Sequence, residues 1–200
     1  MPEMIPLSLT LEQIRDIKTR IVHGASYSDR VSLGFAARLL QVRDELGEDR
    51  AVLREIDALE GPDAYSMTKK AEQFSRPPLF PFWHKHFSTP RHLFRNIGIR
   101  WGADKSGNRD LTKMIEKAEA KYGHEPELWQ KYLAYQFVMG GYQERAASRR
   151  MTGDWIIFAK HEGKNFYLDM ATHEEAQEPD RLMKKLWQGS AAEFSFLFRE

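Results

Sequence analysis

Trp155-Ile156-Ile157-Phe158-Ala159-Lys160-His161, then Glu162-Gly163-Lys164-Asn165, then Phe166-Tyr167-Leu168-Asp169-Met170-Ala171: this stretch decides the fold class. Two runs rich in β-branched and aromatic residues flank a short polar link, the pattern of a β-hairpin. Gly163-Lys164 suits a type II′ turn, in which glycine takes the first central position. That turn pairs His161 with Phe166, Lys160 with Tyr167 and Phe158 with Asp169. One face then carries Trp155, Ile157, Ala159, His161, Phe166, Leu168 and Met170, and is read as the core side. His161 is accordingly expected to be buried and hydrogen-bonded. The other face presents Lys160, Tyr167 and Asp169 near Ile156 and Phe158, with His173 just past the strand end. Lysine can stabilise developing negative charge, tyrosine can donate to an oxyanion, and histidine can move a proton. The same residues also suit a plain solvated sheet face.

Downstream of the hairpin, a helix is expected around 180–187. The alternation of Phe194, Phe196 and Phe198 with Ser195, Leu197 and Arg199 then reads as a further strand. Upstream, the first third is helical. Thr10 and Gln13 form a capping box before Leu11, Ile14, Ile17, Ile21 and Val22. A second helix is expected from Ser28-Asp29 to Leu46-Gly47, and a third from Asp49 to Leu59. Arg76-Pro77-Pro78-Leu79-Phe80-Pro81 interrupts this pattern and is the best boundary in the chain. Thr89-Pro90 starts another helix, and further helices are expected at 109–122 and 126–139, the latter stopped by Gly140-Gly141.

These elements predict an α+β fold: a helical N-terminal portion followed by a small, mainly antiparallel sheet (hairpin 154–172, further strand 193–199) packed on helices. The proposed division is a helical subdomain at 1–75 and an α+β domain at 76–200.

Composition narrows the chemistry. The 200 residues contain no cysteine, which excludes thiolate metal sites, a disulfide framework and a cysteine nucleophile. The opening Met1-Pro2-Glu3-Met4 lacks the basic start and apolar stretch of a signal peptide, and no apolar run is long enough to cross a bilayer. A cytoplasmic protein with no membrane association is expected. The 30 lysines and arginines nearly balance 29 acids. The balance is local only in part: residues 1–75 carry a net −3, residues 76–150 a net +7 and residues 151–200 a net −3. Such segregation bears on partners more than the total does.

The basic middle contains Phe82-Trp83-His84-Lys85-His86-Phe87, followed by Arg91, His92 and Arg95. Cations interleaved with aromatics are what a single-stranded nucleic acid needs, with charges for phosphates and flat rings for bases. Trp83, Lys85, Arg91, His92 and Arg95 are therefore the candidate nucleic-acid contacts. His84 and His86 form an H-x-H pair, whose rings point the same way if the segment is extended. With His92 as a third ligand they are also a candidate metal set, though no neighbouring carboxylate completes it. No phosphate-binding glycine loop, H-E-x-x-H or G-x-S-x-G motif occurs, and no cofactor is expected.

Three functions follow from these residues. The first is a metal-independent ribonuclease-like or RNA-binding domain, with His84, His86, Lys160, Tyr167 and His173 as catalytic candidates and RNA or another phosphate-bearing ligand as partner. The layout over about the last 120 residues resembles that of the small ribonuclease toxins of the barnase and RelE type, in arrangement and not in any residue-by-residue motif. The second is a non-catalytic module that binds a protein partner or a second copy of itself. The third is a histidine-ligated, metal-dependent hydrolase.

Overall fold

In a computed structural model, residues 10–61, 65–102 and 108–198 are described. Helices α1 (Leu11–Ile21), α2 (Leu33–Leu46) and α3 (Asp49–Glu60) precede strands β1 (Glu72–Gln73) and β2 (Trp83–Phe87). Next come helices α4 (Leu93–Trp101), α5 (Arg109–Tyr122), α6 (Pro126–Tyr135) and α7 (Gly141–Ala147), then β3 (Asp154–His161), β4 (Lys164–Ala171) and α8 (Pro179–Ser190). The sheet order is β1-β2-β3-β4 and every pairing is antiparallel. The fold is thus α+β, with helices in front and the sheet completed by the C-terminal part. The link from β2 to β3 carries α4 through α7.

The sheet separates two cores. On one face Phe87, Ile156, Phe158, Tyr167 and Met170 pack with Val31, Phe35, Leu39, Val52 and Ile56 of the helical front. On the other, Ile157, Ala159, Leu168 and Ala171 pack with Leu182 and Leu186 of α8 and with Leu79, Phe82 and Phe194. The helices of 1–75 therefore share a core with strands from the later residues. Apolar side chains removed from water on both faces stabilise the sheet, and a buried Leu or Phe contributes about 1.5–3 kcal/mol.

Local sequence sets the element ends. Thr10 and Gln13 form the expected capping box. The second helix starts later than the sequence suggests: Ser28–Arg30 is a single 3-10 turn, and Val31 leaves the helical path to bridge Tyr167 of β4. Ser32 then caps α2, its hydroxyl accepting from the Phe35 N–H and donating to the Leu168 carbonyl at 2.6 Å. Gly140-Gly141 does not stop the helix before it. A π-helical turn at Gln136–Gly140 continues α6 into α7, and the Trp101 indole donates to the Phe137 carbonyl within it at 2.7 Å.

The hairpin forms, but its turn lies one residue earlier than expected. His161 pairs with Lys164, and Glu162 (φ 49°) and Gly163 (φ 74°) are the central residues, both left-handed as a type I′ turn requires. Moving the turn by one residue shifts the pairing by two, so side chains keep their faces. A bulge then intervenes: Phe158 pairs with Tyr167 but Ile157 pairs with Asp169, leaving Leu168 as the extra residue. Beyond it the parity flips. Met170 consequently joins Ile156 on the helical-front face, not the face expected for it. His161 is also corrected: its side chain is 43% exposed and lies against Phe196 at 4.7 Å between ring centroids.

The expected strand over 193–199 is not formed. Ser195–Phe198 is a 3-10 turn held by local bonds such as Leu197 N–H to the Phe194 carbonyl. Its rings cover the sheet face instead of extending it, Phe194 against Phe166 and Phe198 against Phe82. Arg199 lies outside the described residues.

Candidate active site

β2 alternates, and its alternation sorts the candidate residues. Trp83, Lys85 and Phe87 turn toward the helical front, while His84 and His86 turn to the other face. The register sets His86 opposite Trp155 and His84 opposite Ile157. Trp155 becomes the centre of a ring cluster, with centroids 4.5 Å from His84, 6.0 Å from His86 and 5.4 Å from His173. His86 lies 5.6 Å from His173 and 5.8 Å from His84. Phe74 closes one side, 4.8 Å from His84. His173 is carried by the turn after β4, where Thr172 and Glu175 cap each other reciprocally: the Thr172 N–H donates to the Glu175 carboxylate at 2.9 Å and the Glu175 N–H to the Thr172 hydroxyl at 3.2 Å.

Burial favours the neutral form of all three rings. Burial pushes His84 down to about 4, helped by the neighbouring His173 and Lys69 charges. Burial likewise pushes His86 down to about 4, against the opposing pull of the Gly153 carbonyl. His173 is also lowered, by burial first and then by the Arg95 charge. The His86 Nδ1–H donates to the Gly153 carbonyl at 2.9 Å, which leaves Nε2 as the bare nitrogen of the neutral ring. Among the described residues His84 Nδ1, His173 Nε2 and Trp155 Nε1 are buried without a hydrogen-bond partner. Unpaired buried donors and acceptors cost free energy unless another group or a water meets them.

A supporting network fixes Gly153. Asp154 beside it accepts from Arg91 at 2.6 Å and meets His92 Nε2 at 3.5 Å. Burial pushes the Asp154 carboxyl up, but His92 and Arg91 outweigh that and hold it below the ordinary range. His92 Nδ1 accepts the Thr89 N–H at 3.1 Å. Asn96, fully buried, donates to the His92 and Thr152 carbonyls and accepts from Arg145 and from the Thr152 N–H. These bonds lock the start of the α4–α7 insertion to the chain entering β3. At Gly153 the backbones touch: an added Cβ would meet the Phe87 carbonyl oxygen at 1.9 Å.

The structure brings together His84, His86 and His173 of the five catalytic candidates and separates the other two. Lys160 lies on the opposite face of the sheet, over the Trp83 ring at 3.7 Å. Tyr167 is fully buried on that same face, where its hydroxyl donates to Glu60 at 2.6 Å. Burial and that carboxylate hold its phenol far above the ordinary tyrosine range, so it is a structural donor and no proton shuttle.

Most of the nucleic-acid set is likewise committed elsewhere. Lys85 is buried against Glu55 at 2.9 Å. Trp83 packs on Phe158, His92 is buried between Thr89 and Asp154, and Arg91 spans Asp154 and Glu48. Of the five, Arg91 and Arg95 are exposed, and it is the Arg95 charge that bears on the histidines, through His173. The metal reading is corrected as well. His92 does not join His84 and His86, and among the described residues no group of three or more His, Asp or Glu side chains has the geometry to hold a metal ion.

Sequence reasoning missed Trp155 and Lys69 as members of the site. Trp155 is visible in the sequence only as a core-side residue of the hairpin. Its meeting with His86 depends on a strand pairing between segments more than sixty residues apart. No protein-family model, curated protein or solved structure matches this chain. Among the described residues no helix is long and apolar enough to cross a membrane.

Proposed function

We propose that this protein is a metal-independent ribonuclease whose active site is the histidine–tryptophan cluster at the ends of β2, β3 and β4. The observation that carries the reading is the convergence of His84, His86 and His173, three imidazoles with ring nitrogens free of protein partners, beside the Arg95 and Lys69 charges. Cleavage of a ribose phosphodiester needs one group to remove a proton and another to supply one. His86 Nε2 takes the proton of the ribose 2′-hydroxyl, and the 2′-oxygen attacks phosphorus. The bond from phosphorus to the 5′-oxygen breaks, and protonated His173 delivers its proton to that leaving oxygen. The products are a 2′,3′-cyclic phosphate and a 5′-hydroxyl end. Arg95 and Lys69 offset the charge gathering on the phosphoryl oxygens. His84, lying over Trp155, is a positioning residue.

The test is incubation of a short RNA with the protein in EDTA, with the product ends identified by mass. Cyclic phosphate ends are expected, and none from a strand deoxygenated at the 2′ position. Cleavage that needs a divalent ion, or that proceeds on DNA, contradicts the mechanism.

A second reading, a module that pairs copies of the chain, is favoured by the α5–α6 hairpin. Leu111, Met114, Trp129 and Phe137 line an apolar groove of about 360 Å³ there, with Ile115, Leu128 and Tyr135 exposed around it. Large exposed apolar patches mark interaction surfaces. Sedimentation over a range of concentrations tests it: a dimer broken by Leu128→Lys supports this reading, and a monomer throughout refutes it.

A further inference from the structure

The corner between α2 and α3 faces the α4–α7 insertion across a cleft of about 730 Å³ that the histidine cluster does not use. That volume falls within the range of small-molecule sites. Its interior is apolar, with Met67, Met139 and Met151 among its lining. Two of its apolar members remain open to water, Leu46 at 49% and Met139 at 39% exposure. Methionine is unbranched and polarisable, and it adapts to flexible apolar guests.

The polar lining of the cleft holds two arginines, Glu48 and the hydroxyl groups of Ser88, Thr89 and Tyr142. Arg50 and Arg54 lie one turn apart on α3, both exposed and both lining the cleft. Neither has a carboxylate partner among the described residues, although the chain pairs many of its other arginines. The Ser88 hydroxyl, also in the lining, is buried without a hydrogen-bond partner. The acid of the cleft, Glu48, has its charge met by Arg91 at 3.2 Å. The lining thus combines apolar side chains with two guanidinium groups that have no ion pair among the described residues and one hydroxyl without a partner.

We propose that this cleft binds a single-chain amphipath with an anionic head, a fatty-acid-like carboxylate. The chain lies against the methionines, and the carboxylate meets Arg50 and Arg54. Guanidinium groups pair with carboxylates through two parallel hydrogen bonds, which selects this head group over a cationic one. The proposal is independent of the ribonuclease reading, since it shares no residue with the histidine cluster.

The full chain, labelled with carbon-13 at the methionine methyl groups, is titrated with dodecanoate below its micelle-forming concentration. Dodecyltrimethylammonium, with the same tail and the opposite charge, serves as the matched control. Saturable shifts are expected at Met67, Met139 and Met151 with dodecanoate, and at none of them with the cation. Met114, which lines the α5–α6 groove and not this cleft, is expected to stay in place. Arg50→Gln with Arg54→Gln alters only exposed side chains, so the melting temperature is expected to hold while affinity falls by about tenfold or more. The absence of saturable shifts overturns the proposal. Equal response to the two surfactants, movement at Met114 in place of the three, or undiminished affinity in the double variant does so too.

Discussion

Replacing Lys85 with methionine separates the structural and nucleic-acid roles of the basic segment. The Lys85 ammonium is buried on the helical-front face of β2, 2.9 Å from Glu55, 2.8 Å from the Ser66 hydroxyl and 2.6 Å from the Lys69 carbonyl, with the Thr68 hydroxyl as a further contact. Burial pulls its pKa down and the Glu55 charge opposes that. Lys85→Met leaves the Glu55 carboxylate, 1% exposed, without its cation. Removing one member of a buried ion pair costs about 3–5 kcal/mol. Two hydroxyls still donate to that carboxylate, Ser66 at 2.6 Å and Thr68 at 3.0 Å. The lower end, about 3 kcal/mol, is therefore expected, a fall of about a hundredfold or more in the folding constant. Adding Glu55→Gln removes the orphaned charge and is expected to restore about half of the loss. Urea unfolding of the wild type, both single variants and the double variant measures the cycle. A Lys85→Met cost below about 1 kcal/mol refutes the reasoning, as does a folded variant that has lost RNA affinity.

Other consequences are direct. The kcat/KM for RNA cleavage follows the free protein, in which His86 must be neutral and His173 protonated. Burial pushes His86 down to about 4 and also lowers His173, so the rate is expected to be highest on the acid side and to fall through neutral pH; a maximum above pH 7 contradicts the assignment. His84 and His86 have depressed pKa values, so their neutral burial stabilises the fold fully above about 6.5 and progressively less as pH falls toward about 4. Urea midpoints across that window are expected to drop, and to drop less in His84→Phe. Gly153→Ala drives a Cβ into the Phe87 carbonyl and is expected to cost about 3 kcal/mol by thermal or urea unfolding. Tyr167→Phe loses its bond to Glu60, which keeps Arg30 and Asn165. About 1.5 kcal/mol of stability is expected to go, while cleavage by Tyr167→Phe and by Lys160→Ala stays at the wild-type rate.

Local signals carried most of the architecture. The capping box at Thr10, the Pro126 start and the hairpin runs each act over a few residues, and each element formed. The parity of the hairpin survived a misplaced turn because a one-residue change in turn position moves the register by two. The bulge at Leu168 was invisible, since it answers to packing on both sheet faces at once. The alternation of Phe194, Phe196 and Phe198 misled for a related reason: six residues fit a strand or a 3-10 turn alike until a neighbouring surface selects one.

The site was legible in part. The H-x-H spacing put His84 and His86 on one face once the segment proved to be a strand. That same alternation sent Lys85 and Trp83 the other way, which a reading of composition alone treats as one patch. Nothing in the hairpin says which face β2 presents to which side, so the sequence alone does not separate Lys160 and Tyr167 from the histidines. Only the pairing of His86 with Trp155 decides that.

The most direct measurement is single-turnover cleavage of RNA in EDTA at about pH 5, comparing the wild type with His86→Gln and His173→Gln. Each variant is expected to lose about 10²–10⁴-fold in rate, the usual contribution of a proton-transfer group, with circular dichroism unchanged. Wild-type rates in both folded variants, or no cleavage by the wild-type protein, would contradict the account.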